Sequence, residues 1–441
     1  MSSEWRTFRI QDIAAEMGDA PFGSNLKSHD YTETGALVVQ GKNIQGRSCD
    51  WSDRRYVSVD KYQQLVRHQC KEGDLVFPKV GTIGKVGILS TAKGIEHYLL
   101  STNTMRLRVN DKVACRDFVY YYFAWPRTSD SIKAHNANSV QPVFNFTSLK
   151  NFEITLPPLE EQRCASAFLC ALDDRIALLR ETSATLEAIA QALFKSWFVD
   201  FDPVHARTRE EQPAGLAPEV AALFPDSFEE SPLGLVPRGW SLSQLSEAYE
   251  INPTRKLKKG EMAPYLDMAS VATSGHTVAG VSDREMGSGT KFINGDTLLA
   301  RITPCLENGK TAFVDFLSQE QTGWGSTEFV VLRPKAPLPA YHGYLLARHP
   351  AFREHAIQSM SGTSGRQRVQ NDVLGRYLVI VPSEKVAMAF NDVISPLQQK
   401  ITENHRQAQT LANLRDTLLP RLITGQLRLP DAEAMVAEAQ A

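Results

Sequence analysis

The sequence predicts an α+β chain. Two similar globular domains are separated by two long helices packed as an antiparallel coiled coil, with an internal pseudo-two-fold repeat. Three observations carry this prediction: a set of motifs that recurs once, about 225 residues apart, a long heptad seam after each copy, and a proline-rich stretch between the copies.

The repeat comes first because it sets the organisation. Trp5-Arg6-Thr7-Phe8-Arg9-Ile10 opens one copy and Trp240-Ser241-Leu242-Ser243-Gln244-Leu245 the other. Gly73-Asp74-Leu75-Val76-Phe77-Pro78-Lys79 recurs as Gly295-Asp296-Thr297-Leu298-Leu299-Ala300-Arg301. Ser101-Thr102 and Arg106-Leu107-Arg108 recur as Ser326-Thr327 and Val331-Leu332-Arg333. Gln141-Pro142-Val143-Phe144-Asn145 recurs as Gln367-Arg368-Val369-Gln370-Asn371, and Ile154-Thr155-Leu156-Pro157 as Val379-Ile380-Val381-Pro382. The period is too long for a solenoid of stacked repeats, so this is one duplicated unit.

Within each copy, short apolar runs bounded by Gly and Asp read as strands, among them Ala36–Val39, Asp74–Phe77, Lys85–Leu89 and Thr104–Val109. Phe118–Trp125 and Ala340–Arg348 read as helices. After Pro157-Pro158, Leu159-Glu160-Glu161-Gln162 is a helix start whose acidic residues suit the positive end of the helix dipole. The seam then runs Leu172, Ile176, Leu179, Ser183, Leu186, Ala190, Leu193, Trp197, at alternating spacings of four and three. The second seam is Phe390, Val393, Leu397, Ile401, Ala408, Leu411, Leu414, Leu418 and Leu422, with polar Asn404 interrupting. Pro396 is expected to kink the second helix or mark its straight start, and Pro420 to kink or end it. Each helix could pack only on its own domain, but a seam in both copies favours packing on each other.

The expected boundaries are residues 1–157 for the first domain, 158–200 for the first helix and 201–238 for an irregular, proline-rich linker. The second domain takes 239–382, the second helix 383–427, and a fraying Ala/Glu-rich tail 428–441.

Charge follows this division. The net charge is −2 overall, yet residues 1–157 carry 20 Lys+Arg against 16 Asp+Glu, and residues 237–382 carry 16 against 13. Residues 158–236 carry 6 against 14. Two mildly basic domains and an acidic helical part allow nucleic-acid binding by the domains, without requiring it. No run of 18 apolar residues occurs, so no membrane span is expected, and the N-terminus does not read as a signal peptide. The six cysteines form no CxxC pair and no zinc spacing, which fits a reducing, cytoplasmic setting.

Catalytic patterns fail on inspection. Val80-Gly81-Thr82-Ile83-Gly84-Lys85 has Lys79 where a phosphate loop needs glycine, and Val86 where it needs Ser or Thr. Asn252-Pro253-Thr254-Arg255 lacks the aromatic that an amino-methyltransferase stacks on its target base. Asp296, Glu307 and Lys310 have the residue types of a nuclease triad at the wrong spacing. No catalytic residue and no metal ligand is assigned.

DNA-contacting chemistry is better represented. Lys79 and Lys85 flank a glycine turn, and Arg301 and Lys310 flank its counterpart. The donor-rich stretch Ser359–Arg368 contains Arg366, Gln367 and Arg368, and its counterpart contains Asn136, Asn138 and Gln141. Arg, Gln and Asn make bidentate contacts to base edges, and Lys and Arg pair with phosphates. Ordinary solvated loops would have the same composition. The competing function is a self-contained nuclease or methyltransferase with fused recognition domains.

Several stretches resemble the specificity subunit of type I restriction–modification systems. They are Ile154–Gln162, Phe194-Lys195-Ser196-Trp197-Phe198-Val199-Asp200-Phe201-Asp202-Pro203, Phe224–Phe228, Leu233–Trp240 and Leu418-Leu419-Pro420-Arg421-Leu422-Ile423-Thr424-Gly425. Val381-Pro382-Ser383-Glu384-Lys385 departs from the Pro-Pro-Leu-Glu-Glu-Gln form of the helix start. The resemblance implies a non-catalytic subunit whose two target-recognition domains read a bipartite, asymmetric site on double-stranded DNA. Its helices set the spacing and dock two adenine-methyltransferase subunits, joined by motor–nuclease subunits. S-adenosylmethionine, ATP and Mg would belong to those partners, with no cofactor in this chain and no membrane association.

Overall fold

The computed structural model describes residues 5–134, 143–232, 234–318, 320–363 and 365–440. Two compact units emerge: residues 1–176 with 409–441, and residues 177–408. Each is α+β, and each contains one part of both long helices.

In the first unit, an antiparallel sheet has the order Ala14–Gly18, Thr104–Val109, Leu75–Pro78, Gly87–Ile88. In the second, the sheet Tyr249–Ile251, Phe329–Pro334, Thr297–Ala300, Thr311–Phe313 has the same order. A second sheet in each is built on a parallel pair. Ala36–Val39 lies beside Tyr98–Leu100 in one unit, and Met262–Leu266 beside Gly323–Gly325 in the other. All four residues of Ala36–Val39 are buried, which explains an apolar run without alternation. A two-stranded ribbon completes each unit, with Arg6 opposite Leu156 and Ser241 opposite Val381. The duplication read from the motifs is thus a duplication of topology and register.

The long helices are Leu159–Phe198 and Glu384–Ile423, 40 residues each. In the second unit, Trp197 and Phe198 meet Phe390 at ring-centroid distances of 5.3 and 4.6 Å. Further along the same pair, Asn404 Nδ2 donates to Ser183 Oγ at 3.3 Å. In the first unit, Arg415 pairs with Asp173 at 2.6 Å. Within the second unit, partners fall along the first helix, from Trp197 to Ser183, as they rise along the second, from Phe390 to Asn404, so the two helices run antiparallel there.

Leu172, Ile176, Leu411 and Leu418 are buried in the first unit, with Leu414 half-buried. In the second, Leu179, Phe390 and Ile401 are buried, and Leu186, Leu193 and Leu397 half-buried. Val393 departs from the expected seam: it is 39% exposed, and Ile394 is buried in its place. The cause is geometric, because 3.6 residues per turn drifts from a strict heptad, and here the core selects the residue four after Phe390. The helix also continues through Pro396 and Pro420, ending at Ile423. Packing outweighs the missing N–H at both positions.

Two further expectations are corrected. The linker is not irregular: it forms the helix Asp202–Thr208 and a hairpin of Phe228–Ser231 with Gly234–Pro237. Its Phe201, Val204 and Phe224 join Trp197, Phe198 and Trp240 in the core of the second unit, so aromatic burial holds it down. The C-terminal stretch does not fray. Leu429–Gln440 is a helix with Ala432 fully buried and Met435 and Val436 packed on the first unit's core. Among the described residues, no helix is long and apolar enough to cross a membrane.

Candidate DNA interface

The recurring Gly-Asp motif opens the central strand of each unit. Gly73 and Gly295 take positive φ (83° and 88°), a conformation glycine adopts without steric cost. The following carboxylates, Asp74 and Asp296, are fully buried. Each accepts a backbone hydrogen bond of 2.9 Å, from Lys71 or from Ile293. Buried charge needs partners. Arg108 grips Asp74 at 2.8 and 2.9 Å. Arg333 and Arg255 reach Asp296 at 2.5 and 3.1 Å. These landmarks recur because they hold the sheet. They also explain Asp296 without a nuclease triad.

The other end of the same strand carries the candidate interface. Lys79 and Arg301 leave it at equivalent positions, each fixed by two backbone hydrogen bonds. Lys79 N donates to Asn103 O at 2.8 Å, and Lys79 O accepts from Phe144 N at 3.0 Å. Arg301 N donates to Glu328 O at 3.0 Å, and Arg301 O accepts from Val369 N at 2.9 Å. A cationic residue in each unit is therefore stitched between the turn that follows Ser101 or Ser326 and the backbone of Phe144 or Val369.

In the second unit the predicted residues converge. Arg368 bridges to both Ile302 and Ser361, closing the loop onto the strand exit. Its guanidinium grips Glu328 through Nε and a terminal nitrogen, the latter at 2.7 Å, and Arg301 Nε reaches the same carboxylate at 3.3 Å. The hydrogen bonds from Arg368, reinforced by the charges of Arg368 and Arg301, hold Glu328 below the usual carboxylate range against the opposing effect of burial. The clamp fixes two guanidiniums at the protein surface, each with donors left over. Gln367 exchanges backbone contacts with Thr303, through N to Oγ1 and through O to N, both at 3.1 Å. Arg366 is exposed at the loop tip. Lys310 Nζ donates to Met268 O at 2.6 Å, a tie between two loops.

In the first unit, Lys79 Nζ lies 2.8 Å from Asp19 Oδ1, and Lys85 is exposed. Asn136, Asn138 and Gln141 lie outside the described residues. The sequence reading missed Glu328, Asn103 and Asp19. The first two were in sight, each directly after the Ser-Thr landmark, but which side chain meets a strand exit is set by the fold.

Residues 2–188 match the family described as "Type I restriction modification DNA specificity domain". The chain is 23% identical to the HindI specificity subunit of Haemophilus influenzae, with 96% of this chain and all of that protein covered. It is 24% identical to the MjaIX specificity subunit of Methanocaldococcus jannaschii, covering 97% and 94%. The crystal structure of a type I restriction–modification S subunit from M. genitalium shares the fold, with a TM-score of 0.54 at 15% identity over 96% of both chains. A type I restriction–modification DNA specificity domain thus matches the first part of the chain, and over nearly its whole length the chain is similar to specificity subunits of type I restriction–modification systems.

Proposed function

We propose that the two units each read one half of a bipartite, asymmetric site on double-stranded DNA. The observation that carries this reading is the pair of equivalent strand exits, Lys79 and Arg301, whose carbonyls accept from Phe144 and Val369, each of which follows a donor-rich stretch of sequence. Phosphate contacts from the cationic residues position each unit, and Arg366, Gln367 and Arg368 present donors to base edges. The side chains around the exits differ, Asn103 against Glu328 and Lys79 against Arg301, so the half-sites differ too.

The two long helices join the units and set the distance between half-sites. A 40-residue helix is about 60 Å long, because each residue adds a fixed rise. The same helices offer surface for two adenine-methyltransferase subunits, through which motor–nuclease subunits attach. S-adenosylmethionine, ATP and Mg act on those partners, in the cytoplasm. The test is a competition assay with the assembled complex. Arg366→Ala with Arg368→Ala should abolish discrimination at one half-site and retain it at the other. Equal loss at both halves would contradict a one-unit, one-half assignment.

A further inference from the structure

The loop that follows the strand Ala14–Gly18 carries a side chain the DNA reading has not used. Phe22 is 77% exposed, more than any other large hydrophobic residue among those described. Its surroundings are fixed. Ala20, Pro21 and Leu26 are buried on either side of it. Asn25 N donates to Phe22 O at 2.8 Å, closing a turn. Asp19 anchors the loop's start: its carbonyl meets His68 Nδ1 at 2.7 Å and its carboxylate meets Lys79 at 2.8 Å. At the tip, Phe22, Gly23, Ser24 and Asn25 are all exposed, and a Cβ built on Gly23 would meet nothing within 4 Å. The turn stands clear of the rest of the unit on a fixed base.

An aromatic ring held out in water loses the stabilisation that burial gives, so a rigid mount for one calls for a partner. The direct ion pair of Asp19 with Lys79 says which partner. The tip rises three residues from the side chain that touches Lys79, so phosphates brought to Lys79 bring base pairs to Phe22. Apolar side chains beside phosphate-binding residues can enter a base step, unstack it partly and bend the duplex. We infer that Phe22 is a wedge that inserts between adjacent base pairs of the DNA read by the first unit. Its insertion makes recognition depend on how easily that step unstacks, so bases are selected without a hydrogen bond to them. This inference rests on the reading of Lys79 and Lys85 as DNA-facing.

The test uses the assembled complex and target duplexes with 2-aminopurine placed in turn along the first half-site. The wild type should raise the fluorescence at one step. Phe22→Ala should remove that rise and weaken specific binding about tenfold, the usual cost of losing one base–aromatic stack. Phe22→Trp should retain both. If Phe22→Ala behaves as wild type while Lys85→Ala weakens binding, the wedge is wrong and the DNA face stands. If neither variant changes binding, the DNA face fails and the wedge with it. Loss of methyltransferase association in Phe22→Ala, with the fluorescence rise intact in whatever complex still forms, would assign the ring to a protein partner and overturn the inference.

Discussion

Asn404 Nδ2 donates to Ser183 Oγ at 3.3 Å, joining the two polar positions that interrupt the apolar seams of the long helices. Asn404 is 1% exposed, so its amide is removed from water and depends on this partner. A single buried amide in a seam penalises every helix register that leaves it unpaired. Asn404→Ala should lower stability by about 1–2 kcal/mol. Asn404→Leu combined with Ser183→Ala should be neutral or stabilising, because no polar atom is then left without a partner. Thermal melts of both variants check this, and a single variant as stable as the wild type would show that the pair carries no structural weight.

Trp197 should be the most costly truncation in the second unit. Its ring meets Phe224 at 4.9 Å and Phe390 at 5.3 Å, joining linker and both helices in one core. Trp197→Ala should cost about 3–5 kcal/mol. Combined with Phe390→Ala, the loss should fall short of the sum of the single losses, because the two rings share a contact. Denaturant titrations measure both, and full additivity would deny the coupling.

The acid sensitivity of the second unit should involve His342. The ring is buried among Phe194, Phe198 and Tyr249, with Tyr249 Oη 2.5 Å from Nδ1. Burial pushes its pKa from 6.5 down to about 3. The unfolded imidazole binds a proton below about 6.5 and the folded one does not until about 3. Within that window the unfolded state holds more protons, so acidification destabilises the fold. His342→Gln should lower stability at neutral pH and flatten its decline between pH 6.5 and 4. A variant with the wild-type slope would locate the acid sensitivity elsewhere.

Arg366 and Arg368 should separate in experiment although they stand two residues apart. Arg368 is clamped to Glu328, whereas Arg366 is exposed at the loop tip. Arg366→Ala should weaken specific DNA binding by about 1–3 kcal/mol without changing the melting temperature. Arg368→Ala should weaken binding and also loosen residues 359–368 in hydrogen exchange. Affinities must be compared at one salt concentration, since phosphate contacts dominate the total. Unchanged affinity in both variants would remove this loop from the interface.

The long-range order of the chain was legible in its sequence because the duplicated motifs are structural necessities. Gly73-Asp74 and Gly295-Asp296 recur since each strand start needs a left-handed glycine and a buried carboxylate with an arginine partner. The helices were legible from their spacing, but the substitution of Ile394 for Val393 was not, because helical drift depends on what the core offers at each turn. The tail was misread since Ala/Glu composition hides a face, Ala432, Met435 and Val436, that matters only once the first unit's core is there to receive it. The candidate interface was legible in kind only. Basic loops announce themselves, whereas the clamp of Glu328 on Arg301 and Arg368 joins residues 27 and 40 positions apart.

The central claim is that two reading units are held at a distance fixed by helix length. Mapping methylated adenines in cells carrying the complete system tests it most directly, with the wild-type chain and with a chain lacking one heptad from each long helix. The account predicts two unlike half-sites separated by a spacer, with the same half-sites and an altered spacer in the shortened chain. A continuous recognition sequence, or a spacer unchanged by the deletion, would contradict it.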